Sequence, residues 1–451
     1  MDILEHQRQE LHELKQISRI LNVEIQSCAH LSSDLVMNES ILQQYTEMIR
    51  SKWLQKASTK AASYNRAPWK GQIPQSVGGE PVAFSYETLL DDSYVAQRFE
   101  NRCIFRERSS KTVLYNSGMA AIRGTIDLID IFTKAALKIV RSVGYFETKV
   151  YIESLINRGV QFFNLGEHID PMANVFIFEP ICYNMNLDIT DIELMIKAIN
   201  SSQAHAIFVV MDTTMHNCTN LLAYMEKRLV RAENVIFIEL RSGVKLDQLG
   251  LEIENLGIAS WYVHKCNASY ADVLFNYINY YKGLIGDNIS FSSLISLEFF
   301  SSQTSFEYAN KVQSIVADFV DAISVQSTDF VRRIISPTAT YGDDKIKMPF
   351  VFMKLNSEER RDYEQFVENL VCLCKTYGFF LPYRNSFGFR YPSIEYICDY
   401  KTKECVVKLS LGCYKGALFF LLQKIFQDLS HPDSSDIKEK MSKGIDLQGN
   451  V

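Results

Sequence analysis

The stretch Ala206-Ile207-Phe208-Val209-Val210-Met211-Asp212-Thr213-Thr214 runs six apolar residues straight into an acid. A second stretch, Val235-Ile236-Phe237-Ile238-Glu239-Leu240-Arg241-Ser242-Gly243-Val244-Lys245, leads from an apolar run to Ser-x-x-Lys. Short apolar runs bounded by turn residues read as strands buried on both faces. Working outward, Val113–Tyr115, Ala136–Val140, Val160–Phe163 and Val175–Phe178 read the same way, with helical patterns at Ala120–Lys134, Lys149–Arg158 and Ile189–Ile199 between them. Strands alternating with helix-length segments specify crossover units, hence an α/β fold whose mostly parallel sheet is covered by helices. Ligands of such sheets bind at the carboxyl ends of strands. The residues that follow the strands are therefore the place to look for chemistry.

The flanks are different. Leu4, Leu11, Leu14, Ile17, Leu21 and Ile25 recur at helical spacing, predicting an amphipathic helix. It packs either on its own core or as an arm clasping a second copy. Residues 63–82 carry Pro68, Pro74, Gly78, Gly79 and Pro81 and read as loop. One or two helices are expected over 290–325. Beyond them, strands near 347–354 and 404–411 and helices near 357–376 and 415–429 predict a smaller α+β unit. The organisation is then 1–84, an N-terminal helical extension; 85–325, the large domain; 326–430, the C-terminal α+β domain; and 431–451, a polar tail.

The chain has 451 residues, 47% hydrophobic and 22% charged, as expected of a globular protein with a large core. Its Lys+Arg total of 47 against 53 Asp+Glu gives a net charge of −6, which argues against nucleic acid or an anionic membrane surface as partner. No run approaches the roughly 18 apolar residues of a membrane span. The first thirty residues carry Glu5, Arg8, Glu10, Glu13, Lys15 and Arg19, not an apolar signal centre. None of the ten cysteines forms a C-x-x-C pair, and so long a chain needs no disulfide to hold its core. The expectation is a reducing, cytoplasmic setting.

There is no Walker loop, no G-x-G-x-x-G after a strand, no H-E-x-x-H and no zinc-ligand spacing, so no metal site is expected. Ser242-x-x-Lys245 fits the serine-acylase spacing but lacks S-D-N and K-T-G partners. Asn116-Ser117-Gly118-Met119-Ala120-Ala121 joins a strand to a helix. A small turn there exposes N–H groups to a phosphate, although such a turn is more often a plain N-cap. Taken together, a phosphate turn, a strand-end Asp212 and then Lys245 give the order of a pyridoxal phosphate (PLP) site, which needs a Schiff-base lysine and a carboxylate on the pyridine nitrogen.

On these residues the chain resembles the PLP-dependent enzymes of Cys/Met metabolism (cystathionine γ-synthase, cystathionine lyases, methionine γ-lyase), from about residue 85 to 430. Ser117-Gly118-Met119-Ala120-Ala121 resembles the family's phosphate turn. Ile139–Tyr145 resembles the segment whose Tyr stacks on the cofactor, and Phe178-Glu179-Pro180 through Asn184 the strand end whose Asn contacts it. Asp212-Thr213-Thr214 resembles D-N-T, and Ser242–Lys245 resembles S-A-T-K. Ser386-Phe387-Gly388 resembles S-L-G, and Lys408–Gly412 resembles R-L-S-V-G. Three places depart from the pattern. Tyr64-Asn65-Arg66 has the letters of the family's Y-x-R but sits early, Lys408 stands where the family has arginine, and Leu246–Glu252 replaces a Gly/His-rich stretch.

The resemblance implies fold type I, with a seven-stranded large-domain sheet, and PLP as cofactor. It makes Lys245, Asp212 and Tyr145 catalytic. Cofactor contacts come from Ser117, Gly118, Met119, Thr214, Ser242 and Asn184, with Tyr64 and Arg66 reaching a neighbouring subunit of a homodimer or homotetramer. It implies γ-elimination or γ-replacement on an amino acid, in a specialised biosynthetic role. A β-eliminating lyase, an aminotransferase or a non-catalytic scaffold are the alternatives. The substrate carboxylate is assigned to Arg390, with Lys408 and Ser386, because an arginine's planar fork suits a carboxylate better than a lysine's point charge.

Overall fold

The structure, a computed structural model, describes residues 2–25, 30–67, 75–77, 79–82, 86, 90–100, 105, 107–133, 135–216, 220–323, 330–341, 344–430 and 441. Seven strands form the central sheet: β1 (Arg108–Tyr115), β2 (Lys138–Ser142), β3 (Gln161–Asn164), β4 (Val175–Phe178), β5 (Ile207–Asp212), β6 (Val235–Ser242) and β7 (Gly257–His264), in the order β1-β7-β6-β5-β4-β2-β3. β2 to β6 pair in parallel, while β7 runs antiparallel to both β1 and β6. Every residue of β4 is buried, as is β5 from Ile207 to Met211. That burial on both faces explains why these strands read as unbroken apolar runs.

β7 escaped the sequence reading. Gly257-Ile258-Ala259-Ser260-Trp261 interrupts its apolar residues with a serine, and only the structure shows that serine buried against Thr112, hydroxyl to hydroxyl at 2.8 Å.

Two long helices precede the sheet, α1 (Ile3–Ile20) and α2 (Leu35–Ala62). The Asp34 side chain caps α2 by accepting from the Val36 and Met37 N–H groups. α1 lies on its own chain: Leu11, Leu14 and Ile17 join one apolar core with Leu42, Ile49 and Trp53 of α2 and with the central sheet. Polar contacts fix the register of the two helices. Gln7 Nε2 donates to Glu39 Oε1 at 2.8 Å, and Asn38 Nδ2 donates to Gln7 Oε1 at 2.9 Å.

After the central sheet, the helix Ser302–Ile323 contributes Tyr308 and Val312 to that first core, and Val316 and Phe319 to a second. The second core lies under an antiparallel sheet of four strands, in the order Val331–Ile335, Val351–Leu355, Cys405–Leu411, Pro392–Cys398. Helices Arg360–Thr376 and Ala417–Ser430 cover it. The strands Val331–Ile335 and Pro392–Cys398 were also not read from the sequence.

One expectation is corrected. Cys398 and Cys405 face each other in register on neighbouring strands and are joined as a disulfide. The absence of C-x-x-C spacing hid it, because strand pairing, not sequence proximity, brings the two sulfurs together. Among the described residues no helix is long and apolar enough to cross a membrane. Pro68, Pro74, Gly78 and the tail from His431, except Met441, lie outside the described residues.

Candidate active site

The strand register sets the site. Phe178 of β4 pairs with Met211 of β5, and Asp212 pairs with Leu240 of β6, so Glu179, Asp212 and Ser242 come out side by side at the carboxyl edge. They open into a cavity of about 810 Å³ whose far wall is Tyr383, Asn385, Ser386, Phe387, Glu395 and Lys408.

Asp212 is held by backbone. Its Oδ1 accepts from the Thr214 N–H at 2.9 Å, and Thr214 Oγ1 accepts from the Ser242 N–H at 2.9 Å, which ties the ends of β5 and β6 together. No cation among the described residues pairs with Asp212, and burial holds its carboxyl above the usual carboxylate range. A desolvated carboxyl of this kind fits a cationic partner such as a protonated ring nitrogen. Beside it, Ser117 caps the helix Gly118–Thr133, its Oγ accepting from the Ala120 N–H at 3.1 Å. A Cβ at Gly118 would stand 3.0 Å from the Ser242 Cβ, so glycine keeps this helix start open to the cavity. An open helix N-terminus is where a phosphate fits.

Lys245 closes the other side. Its Nζ donates to Ser386 Oγ at 2.5 Å. Burial, and then the nearby Lys408 charge, lower its amine below the ordinary lysine range. Gly388 (φ +84°) lets the 386–388 turn approach: a Cβ there would lie 2.1 Å from the Lys245 carbonyl oxygen. Tyr145 precedes the helix Phe146–Ser154, and its hydroxyl donates to Glu147 Oε2 at 2.7 Å. Ser117, Gly118, Met119, Tyr145, Asp212, Thr214, Ser242, Lys245, Ser386 and Lys408 all line this one cavity. The residues present fit a PLP group.

Four assigned residues stand elsewhere. Arg390 is the clearest correction. Its side chain is fully buried, with Nε and Nη2 donating to the two Glu10 oxygens at 2.8 and 3.0 Å, and Nη2 also donating to Glu13 Oε1 at 2.7 Å. The fork expected to take a substrate carboxylate is already filled by α1. Asn184 turns back into its own loop, donating to Asp188 Oδ2 at 2.9 Å and accepting from the Asn186 N–H at 3.1 Å. Tyr183, one residue earlier, lines the cavity. Tyr64 and Arg66 line a separate groove with Phe291, whose ring stacks on Tyr64 at 4.7 Å between centroids.

The sequence reading missed Glu179, Tyr183, Glu147 and Glu395 as cavity residues. Glu179 carried a usable signal: like Asp212, it is an acid directly after a buried parallel strand. It accepts from the N–H groups of Gly144, Tyr145 and Tyr183 at 3.0, 2.9 and 2.6 Å, and its carboxyl is pushed up to about 7 by burial and then by Asp212. Glu395 pairs with Lys408 on the adjacent strand.

No protein-family model matches the chain, and no curated protein matches it by sequence. Solved structures do. A cystathionine γ-lyase from Lactobacillus plantarum, complexed with L-serine, is similar at 17% identity with a TM-score of 0.54, over 81% of this chain and 92% of that one. A cystathionine γ-synthase from Xanthomonas oryzae pv. oryzae, in complex with cystathionine, gives 13% identity and 0.55 over 83% and 98%. A putative O-acetylhomoserine (thiol)-lyase from Campylobacter jejuni, with pyridoxyl-lysine monophosphate, gives 15% and 0.55 over 86% and 99%. At such identities the likeness carries architecture, and together with the strand order it establishes that the chain has the fold type I architecture of PLP-dependent enzymes.

Proposed function

We propose that the protein is a PLP-dependent enzyme that performs γ-elimination or γ-replacement on an amino acid. The observation that carries this reading is the meeting of Lys245, Asp212 and the Ser117–Met119 turn in one cavity. Bound there, the cofactor would supply an electron sink for charge that develops at the substrate's Cα.

The chain's own residues would divide the work. Ser117, Gly118, Met119 and Ser242 would hold the phosphate at the helix start. Asp212 would keep the proton on the pyridine nitrogen, which repays the desolvation of its carboxyl. The Tyr145 ring would keep the pyridine plane in place. Lys245, with its amine lowered by burial, would move protons at the substrate's Cα and Cβ, a task that needs an amine free of its proton near neutral pH. Lys408 would receive the α-carboxylate. Tyr64 and Arg66 would serve the site of a second copy, making the active form a homodimer or a homotetramer built on dimers.

Two measurements on the purified protein test this. A yellow absorbance that shifts when amino acids are added, with borohydride fixing the pyridoxyl group on the peptide that contains Lys245, is the expected result. A label on another lysine, or no absorbance, overturns it. Product analysis then separates γ-chemistry from its rivals: the free leaving group with a four-carbon keto acid and ammonia, or with a new γ-substituted amino acid, against the three-carbon keto acid of β-elimination or the amino acid that transamination forms from an added keto acid. A protein that binds cofactor but releases nothing is the scaffold.

A further inference from the structure

Three cations line the cavity among the described residues: Arg241, Lys245 and Lys408. Arg241 is committed to carboxylates, its Nε donating to Asp247 Oδ1 at 3.0 Å and its Nη1 lying 3.7 Å from Glu239. Lys245 donates to Ser386 and is the proposed cofactor lysine. That leaves Lys408 for a substrate carboxylate, and Lys408 is not waiting for one. It faces Glu395 in register on the neighbouring strand and forms an ion pair with it, both side chains buried. Its other polar contact is the Tyr183 hydroxyl, 3.3 Å away.

This arrangement constrains what can bind. A carboxylate arriving at Lys408 competes with Glu395 and leaves that glutamate without its cation, in a place where an unpaired charge is strongly disfavoured. A neutral amino acid offers nothing in return, and an acidic one adds a second carboxylate. An amino acid with a positive charge on its side chain restores the balance, because it brings an anion for Lys408 and a cation for Glu395. The walls suit such a cation: Tyr183, Tyr383 and Tyr396 also line the cavity, and aromatic faces attract cationic nitrogen.

We propose that Glu395 is the specificity-determining residue of this cavity and that it selects amino acids whose side chain ends in a cationic nitrogen, the α-carboxylate on Lys408 and the side-chain nitrogen on Glu395. This rests on the amino-acid reading of the site and names the class within it.

The test compares L-2,4-diaminobutyrate, its uncharged isostere L-norvaline, and L-glutamate, by calorimetry on the cofactor-loaded protein. Diaminobutyrate should bind about tenfold or more tighter than norvaline, with glutamate weakest. In E395Q the diaminobutyrate advantage should shrink to within about twofold, while K408M should weaken all three ligands, each of which carries an α-carboxylate. Equal affinities in the unaltered protein, or an advantage that survives E395Q, overturn the proposal. The comparison of ligands on the unaltered protein decides even if a variant does not fold. Absorbance of the same sample reports the cofactor separately. A protein without the chromophore counts against the proposed function, while the ratio of the two affinities still decides the role of Glu395.

Discussion

The two ends of the cavity are built by different means. At the strand-end side, polar groups are held by backbone: Asp212 by the Thr214 N–H, Ser242 N–H by Thr214, Glu179 by three amides, Ser117 by the Ala120 amide. At the opposite side, side chains hold side chains: Lys408 with Glu395, Lys245 with Ser386, Tyr145 with Glu147. The first arrangement rests on sheet register and on backbone amides, which no substitution but proline removes. The second can be rewritten by exchanging one partner. The strand-end side can therefore persist while the opposite side changes one pair at a time.

The comparison breaks most sharply at Asp212. Asp212→Asn leaves the Ser117 turn and Lys245 in place, so cofactor occupancy by absorbance should be kept while turnover falls by about a hundredfold or more. Turnover near that of the unaltered protein would remove Asp212 from the chemistry.

Arg390 lies outside the cavity and reports on stability instead. Arg390→Ala removes the guanidinium from the fully buried Glu10, which among the described residues keeps only the Lys311 cation at 3.7 Å, and losing one partner of a buried pair typically removes about 3–5 kcal/mol. The expected result is a large fall in the urea midpoint. A variant of full stability with a raised KM would return Arg390 to the substrate.

Glu179 gives a pH signature. Its carboxyl sits near 7 in the folded protein against an ordinary 4.5, first through burial and then through Asp212. The folded protein keeps a proton there that the unfolded chain gives up. This contribution is full below about pH 4.5 and is lost as pH rises through 7, amounting to about 3 kcal/mol. Unfolding free energies measured across that window should converge on a flatter profile in Glu179→Gln. Parallel profiles for the two proteins would contradict it.

The smallest effect is expected at Gly388. Alanine there must adopt φ +84° against the Lys245 carbonyl, which should lower stability by about 1–3 kcal/mol and disturb the absorbance of the loaded site. An unchanged spectrum and melting temperature would show that the turn can retreat.

Much of this was legible in the sequence where local pattern and burial agree. β4, β5 and β6 announced themselves because both faces are covered, and the acids and glycines after them fell where a ligand would sit. β7 was hidden because its buried serine, Ser260, is satisfied across the sheet by Thr112, which no local pattern reveals. Arg390 misled for the same reason: its partners, Glu10 and Glu13, are far away in sequence, so nothing nearby showed that its fork was taken. Glu395 lay on a strand that was not recognised, and its meeting with Lys408 depends on strand pairing alone.

The docking of α1 also sets an order of events during synthesis. Glu10 is made 380 residues before its partner Arg390. At translation rates of about 5–20 residues per second, α1 emerges roughly 20–80 seconds before the guanidinium that neutralises it. Through that interval Leu11, Leu14 and Ile17 are exposed without the buried ion pair that completes their seat. A helix made 380 residues before its partner is thus locked late, and its apolar face is one that a nascent-chain chaperone would meet.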